Sequence, residues 1–357
     1  MRKRIAIVGA GALGGYVGGS LAHLGHDITL IDPWPENVET IRARGIELDG
    51  VTPEEKFIVK SLKTLHVTEV QSLARRGNGP MDIAFVAVKS YDTAWATALI
   101  APYLAADGFV VSLQNCLNEE TIAGIVGWGR TVGVVASIIS VDLYEAGRIR
   151  RTVAKGGDKH TVFRVGEPHG RLTRRVEELA EWLRGIDSAK VTTNLWGERW
   201  SKLVANGMGN GVSAASGLSS NDCARNDAIR RFQIQLAGEA IRVGQALGFQ
   251  LEKIRGLEPE RLALANEGDV AAMAEVVTAL APKAGAGSHN PRADIQRPSM
   301  AQDILKGRRT EIDAMNGFIA RKGAECGVPA TSHAKLTEIV TRVERGELKP
   351  SPALLDG

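Results

Sequence analysis

The chain of 357 residues is 44% hydrophobic, which is enough to bury a full core and long enough for two domains. Its 44 Lys and Arg against 41 Asp and Glu leave a formal charge of +3, too balanced to suggest a nucleic-acid or membrane surface. Cys116, Cys223 and Cys326 lie far apart and without metal-ligand spacing, so neither a metal site nor a disulfide framework is expected, and a reducing cytoplasm fits.

The basic start, Arg2-Lys3-Arg4 before an apolar run, superficially mimics an export signal. The next residues give that run another meaning. Ile5–Val8 reads as a strand, and Gly9-Ala10-Gly11-Ala12-Leu13-Gly14 follows it into an apolar helical stretch. Gly25 ends that helix, and Asp27–Asp32 reads as the next strand. This is the dinucleotide fingerprint in a full βαβ context. Gly9 suits the tight turn, Gly11 lets the backbone approach a pyrophosphate, and Gly14 allows close packing of helix on strand. The helix start at Ala12 and Leu13 offers its free N–H groups to the phosphates. Asp32 is placed to accept hydrogen bonds from both ribose hydroxyls of NAD and to repel the extra phosphate of NADP. Pro33-Trp34-Pro35-Glu36 supplies no cation for that phosphate, so NAD is favoured and NADP is the alternative. Asp32 can instead serve only to cap the following helix.

Further strands are expected at Ile83–Val88, Phe109–Leu113 and Thr131–Ala136, with an irregular β extension over Val141–Val165. A charged amphipathic helix at Leu172–Ile186 precedes a last short strand at Lys190–Thr193. Beyond Asn194 the strand pattern stops, and helices are broken at Gly217–Asn221, Gly256–Pro259 and Pro282–Pro298. The expectation is an α/β Rossmann-type doubly wound parallel sheet over residues 1–193, followed by an all-helical substrate and catalytic domain over 194–357. No run reaches the roughly 18 apolar residues of a membrane span.

Two polar residues stand at strand ends, where open α/β sheets bind ligands: Lys89, and Asn115 beside Gln114. Each can equally open its helix as a solvated residue. In the helical half, Trp196, Trp200, Leu203 and Val204 form an apolar stripe, and Lys202, Asn206 and Asn210 form a second ridge at i, i+4 and i+8. Such a ridge presents a cation and two amides to a small polar ligand, although a lysine alone fits a solvated face as well. From Ser299, a plausible N-cap, a helical wheel carried through residue 317 puts Glu311 on the apolar side among Met300, Ile304 and Met315. A carboxylate there needs a cation or a donor. Lys202 is one candidate, and Arg308 is the structural alternative.

These residues together resemble the ketopantoate reductase (2-dehydropantoate 2-reductase) family over nearly the whole chain. The likeness is carried by GAGALGG, Val88-Lys89, Gln114-Asn115, the W-x-K-L-x-x-N of Trp200–Asn206, and SMxQDxxxGRxTEIDxxNG from Ser299 to Gly317. The resemblance implies reduction of a 2-oxo acid, with Lys202 as general acid and Glu311 supporting the site. It places Lys89 and Asn115 near the nicotinamide, and Asn206, Asn210 and Ser299 on the substrate's hydroxyl and carboxylate groups. A homodimer is compatible with such a helical domain. The departures are specific. Cys116 stands where Q-N-G is usual, Gly211 replaces a proline, and Ser220 replaces an asparagine that contacts substrate. Gln296-Arg297-Pro298 stands where another asparagine is usual, and Glu267–Asp294 is longer than in compact members. Many members bind NADP through a basic residue near Pro33, and Asp32 points the other way. A related dehydrogenase acting on another hydroxy acid, hydroxy ketone or opine would keep the fingerprint and alter the ridge. A non-catalytic NAD sensor would need neither Lys202 nor Glu311.

Overall fold

In the computed structural model, which describes residues 3–75, 79–281 and 297–355, the first apolar run forms β1 (Arg4–Val8) and leads through the glycine turn into helix α1 (Ala12–His23). Then come β2 (Asp27–Asp32), α2 (Pro35–Arg44), β3 (Ile46–Asp49), β4 (Phe57–Val59), β5 (Lys63–His66) and β6 (Met81–Val86). Helices α3 (Thr93–Ile100) and α4 (Glu119–Val126) flank β7 (Leu104–Ser112), and β8 (Thr131–Ala136), β9 (Val141–Glu145), β10 (Arg148–Arg151) and β11 (Phe163–Gly166) follow. Helix α5 (Arg174–Arg184) and β12 (Ala189–Thr192) complete the first unit, and the chain divides between Leu195 and Trp196.

Eight strands form one sheet in the order β12-β11-β8-β7-β6-β1-β2-β5, parallel throughout except where β11 meets β8. This is the doubly wound arrangement, with the order reversing about β1: β2 lies on one side of it and β6 on the other. Strands buried on both faces read as continuous apolar runs, as Ile5–Val8 and Ile83–Val86 do.

The sequence pattern did not reveal β3, β4 and β5. The Val141–Val165 extension also divides: β11 joins the main sheet, while the β9–β10 hairpin joins β3 and β4 in a second, four-stranded sheet. Helix α1 lies between the two sheets, and its glycines make that possible. A side chain on Gly18 would meet Leu30 at 2.6 Å on the main sheet, and one on Gly15 would meet Ile149 at 2.5 Å on the small one.

The second unit is helical: α6 (Leu195–Gly207), α7 (Asn210–Ser216), α8 (Ser220–Arg225), α9 (Asp227–Ala246), α10 (Pro259–Asn266), α11 (Val270–Leu280), α12 (Ser299–Leu305), a π-helical turn (Asp313–Gly317) running into α13 (Phe318–Cys326), and α14 (Thr331–Glu344). The apolar stripe of α6 faces α9. Trp200 is fully buried and donates from Nε1 to the Ala240 carbonyl at 2.8 Å, where Gly244 leaves room for the indole. The break expected over Pro282–Pro298 lies mostly outside the described residues. Among the described residues no helix is long and apolar enough to cross a membrane.

Candidate active site

The nucleotide end is built from the carboxyl ends of four neighbouring strands. Gly9 follows β1 with φ 98°, a left-handed turn that glycine adopts at no steric cost, and a Cβ there would collide with the Ala87 and Val88 backbone at 2.9 Å. A Cβ on Gly14 would sit 2.0 Å from the Gly9 carbonyl oxygen, so this glycine sets the close approach of α1 to the turn. A Cβ on Gly11 would meet nothing within 4 Å. Open space above Gly11, and a first helical turn at Ala12 and Leu13 without an acidic side chain, leave the helix N-terminus accessible to an anion. These features fit a dinucleotide pyrophosphate.

Asp32 ends β2 and is 6% exposed. Its Oδ1 accepts from the Trp34 N–H at 2.9 Å, so it does order the turn into α2, but no side chain caps that helix itself. Burial pushes its carboxyl above the usual carboxylate value, against hydrogen bonds from the Trp34 and Ala10 N–H groups and from Asn37. Asn37, fully buried, joins the site's parts: Nδ2 donates to the Ala10 carbonyl at 3.2 Å, and Oδ1 accepts from Gly147 N–H at 2.8 Å. Arg42 is committed elsewhere, to the Thr64 carbonyl, Glu39 and Glu69.

Lys89 follows β6 and Asn115 follows β7, both half-buried. Their loops are locked together by Gln114, expected beside Asn115 at the nicotinamide ribose, and by Thr93 and Asn118, which sequence reasoning passed over. Gln114 turns inward, and its Nε2 donates to the Val88 carbonyl at 2.9 Å and to Thr93 Oγ1 at 2.8 Å, bracing the loops instead of reaching a ligand. Asn118 Nδ2 donates to the Asn115 carbonyl at 2.7 Å, and Thr93 Oγ1 donates to Asn118 Oδ1 at 3.2 Å. The only advance signal was a second asparagine three residues after Asn115. The Asn115 amide makes no side-chain hydrogen bond among the described residues. Cys116 has φ 63°, a conformation that favours glycine and explains why glycine is usual at that position.

Asp32, Gly11, Lys89 and Asn115 therefore stand in the sheet order β2-β1-β6-β7. At about 4.8 Å per strand the row spans roughly 14 Å, which suits an extended dinucleotide with its adenosine ribose at Asp32.

In the helical unit, α6 ends at Gly207 and α7 starts at Asn210, so the ridge of Lys202, Asn206 and Asn210 is broken by a turn at Met208-Gly209. All three are half-buried, and the amides of Asn206 and Asn210 make no side-chain hydrogen bond among the described residues. Asn316, fully buried, holds this break: its Nδ2 donates to the Gly207 carbonyl at 2.9 Å and to His333 Nδ1 at 3.0 Å. His333 Nε2 donates in turn to the Leu236 carbonyl at 2.8 Å, which fixes the tautomer. Complete burial pushes the His333 pKa down to about 4, so the ring is neutral.

The single helix expected from Ser299 through residue 317 is not formed. Helix α12 stops at Leu305 in a Schellman motif: Gly307 has φ 61°, Gly307 N–H donates to the Ile304 carbonyl at 3.1 Å, and Arg308 N–H to the Asp303 carbonyl at 2.8 Å. Gly307 is the stop signal, and continuing the wheel across it was the error. Ser299 is the first helical residue and does not cap; the cap position is Pro298. Glu311 is nonetheless 5% exposed, at the start of the following helix, where its carbonyl accepts from Met315 N–H. Thr310 anchors that start: its N–H and Oγ1 both bond Glu344 Oε2, at 2.8 and 2.6 Å. Through Asn316 the helix that begins at Glu311 is tied to the end of α6, five residues after Lys202.

Three comparisons show what the chain is similar to. The family model Ketopantoate reductase PanE/ApbA matches residues 5–163, and Ketopantoate reductase PanE/ApbA C terminal matches residues 194–344. A 2-dehydropantoate 2-reductase of Archaeoglobus fulgidus is 27% identical over 345 residues, 96% of this chain and 99% of that protein. The crystal structure of a ketopantoate reductase from Ralstonia eutropha JMP134 superposes with a TM-score of 0.74 at 26% identity, covering 96% of this chain and 99% of its own. A D-mandelate dehydrogenase solved with NADH and anilino(oxo)acetate gives a TM-score of 0.76 over 96% of this chain and 98% of that one. At 20% identity it shows the fold alone.

Proposed function

The chain belongs to the ketopantoate reductase family and is an NAD(P)-dependent oxidoreductase, and on that premise we propose that it reduces the oxo group of a 2-oxo acid, ketopantoate to pantoate being the family reaction. The observation that carries this reading is the combination of a dinucleotide row at the strand ends with a lysine on α6 and two amides, one on α6 and one at the start of α7, that make no side-chain hydrogen bond among the described residues. A nicotinamide, when bound, supplies the hydride. Gly11 and the start of α1 hold the pyrophosphate, and Lys89 and Asn115 lie at the nicotinamide end. Lys202 gives its proton to the oxygen of the carbonyl as negative charge develops there. Asn206, Asn210 and Ser299 orient the substrate, and Glu311 supports the lysine. Asp32, and the engagement of Arg42 by the Thr64 carbonyl, Glu39 and Glu69, support NADH as the preferred reductant. The protein supplies orientation and a proton, and general acid catalysis of this kind is worth about 10²–10⁴-fold.

Lys202→Ala tests the assignment. Turnover is expected to fall by about that factor while cofactor affinity, measured by fluorescence titration, stays within a few-fold. Retention of most of the turnover would remove Lys202 from the chemistry. A dehydrogenase of the same architecture acting on another hydroxy acid is the second reading. It is favoured by Ser220 and Gln296-Arg297-Pro298, where the family usually has asparagines.

A further inference from the structure

Outside the residues assigned above, the helical unit holds a cation that has no partner among the described residues, beside the proposed substrate ridge. Arg255 sits in a two-residue turn closed on both sides: Ile254 N–H donates to the Leu257 carbonyl at 2.9 Å, and Leu257 N–H to the Ile254 carbonyl at 3.0 Å. Both turn residues are left-handed, Arg255 with φ 52° and Gly256 with φ 84°. Asn, Asp or Gly normally takes the first place in such a turn. The turn aims Arg255 at the α6–α7 break, with its Nη2 2.9 Å from the point where a side chain on Gly209 would begin. The residue is open to solvent, yet protein crowds its guanidinium enough for desolvation to lower its pKa. Among the described residues the guanidinium makes no hydrogen bond and no ion pair. A cation crowded on one side by Gly209 and without a counter-charge among the described residues is stabilised by an incoming anion, and an arginine fork fits a carboxylate.

Arg297 adds a second positive charge nearby. It donates to the Gly217 carbonyl, and both arginines act on the buried thiol of Cys223. Asp222, the described acid that acts on the same thiol, is already engaged by Ser219 and Arg225, at 2.6 and 3.1 Å. Arg255 meets the chain at Gly209, seven residues beyond Lys202 and past the end of α6, whereas a 2-oxo acid's own carboxylate is bonded directly to its oxo carbon.

We propose that Arg255 is a specificity residue that binds a second acidic group of the substrate, so that the 2-oxo acid this chain prefers carries a carboxylate at the end remote from its oxo carbon. This rests on the 2-oxo acid reading given above.

The test compares wild type with Arg255→Asn, which suits the left-handed turn and so should fold, and with Arg255→Lys, which keeps the charge without the fork. Turnover of 2-oxoglutarate and 2-oxoadipate is measured against ketopantoate and 2-oxobutyrate, and glutarate, which has no oxo group, is titrated by calorimetry. Wild type should favour the diacids. Arg255→Asn should cut the diacid-to-monoacid ratio of kcat/KM by about 10–100-fold, mainly through KM, with glutarate affinity falling in parallel and Arg255→Lys intermediate. An unchanged ratio, or glutarate binding indifferent to Arg255, overturns the proposal. Arg255-dependent glutarate binding without reduction of any 2-oxo acid would keep the anion site and remove the reaction reading instead.

Discussion

At the scale of single residues, Cys116 and Asp32 each occupy a costly position. Cys116 carries a side chain at φ 63°, where an L residue is strained by roughly 1–2 kcal/mol. Replacing it by glycine relieves that strain and gives up one small buried side chain, so Cys116→Gly should leave Tm within a few degrees of wild type. Cys116→Val adds a β-branched side chain at the same φ and should lower Tm by clearly more. The order of the two melting temperatures checks the explanation. Asp32 is a buried carboxyl whose folded-state pKa is raised by desolvation. The folded protein thus holds this proton more tightly than the unfolded chain does, and the carboxyl's contribution to stability falls as pH rises through the raised value. In the proposed reading ribose hydroxyls donate to the ionised form. NADH should accordingly bind more weakly as pH falls through the Asp32 pKa, NADPH should show a smaller dependence, and Asp32→Asn should weaken NADH by about 10-fold and flatten the profile. Titrating both cofactors between pH 4 and 8 decides it.

At the scale of elements, the breaks matter as much as the helices. The turn between α6 and α7 is held by Asn316 and, through it, by neutral His333. The folded His333 pKa of about 4 lies below the unfolded value near 6.5, so its contribution is complete above 6.5 and is lost as pH falls toward 4. That loss is on the order of 3 kcal/mol, and denaturant unfolding at pH 7 and pH 4.5 should reveal most of it. His333→Gln should be less stable at pH 7 and lose less between the two pH values. An equal loss in both proteins would move the pH sensitivity elsewhere. None of this network was legible in the sequence, because a buried histidine and an asparagine inside a helix resemble many others there. The strands of the main sheet were legible, since doubly buried strands are continuous apolar runs with glycine at their ends. Strands β3, β4 and β5 were not: they have only three or four residues and carry polar or charged side chains such as Glu47, Asp49, Lys63 and His66 among the apolar ones, so no apolar run marks them. Gly307 was in plain sight, but a helical wheel has no term for a stop, so Glu311 was placed on the buried side through a continuous helix that does not exist.

At the scale of the whole molecule, the chain combines two units with different sources of information. The nucleotide unit could be read from spacing, because Gly9, Gly11, Gly14 and Asp32 each answer a backbone or charge requirement that hardly any other residue meets. The helical unit could not be read that way. Lys202, Asn206 and Asn210 gained meaning from their shared ridge and from the family resemblance, and Arg255 was not singled out, since nothing in a sequence marks an arginine in a tight turn as lacking a partner. The central claim is that both units serve one reaction, the NAD(P)H-dependent reduction of a 2-oxo acid. Its most direct test is the initial rate of NADH and NADPH oxidation by the purified chain with ketopantoate and a panel of other 2-oxo mono- and diacids. Saturable turnover of at least one 2-oxo acid is expected, faster with NADH than with NADPH. Tight NADH binding with no oxidation by any member of the panel would contradict it.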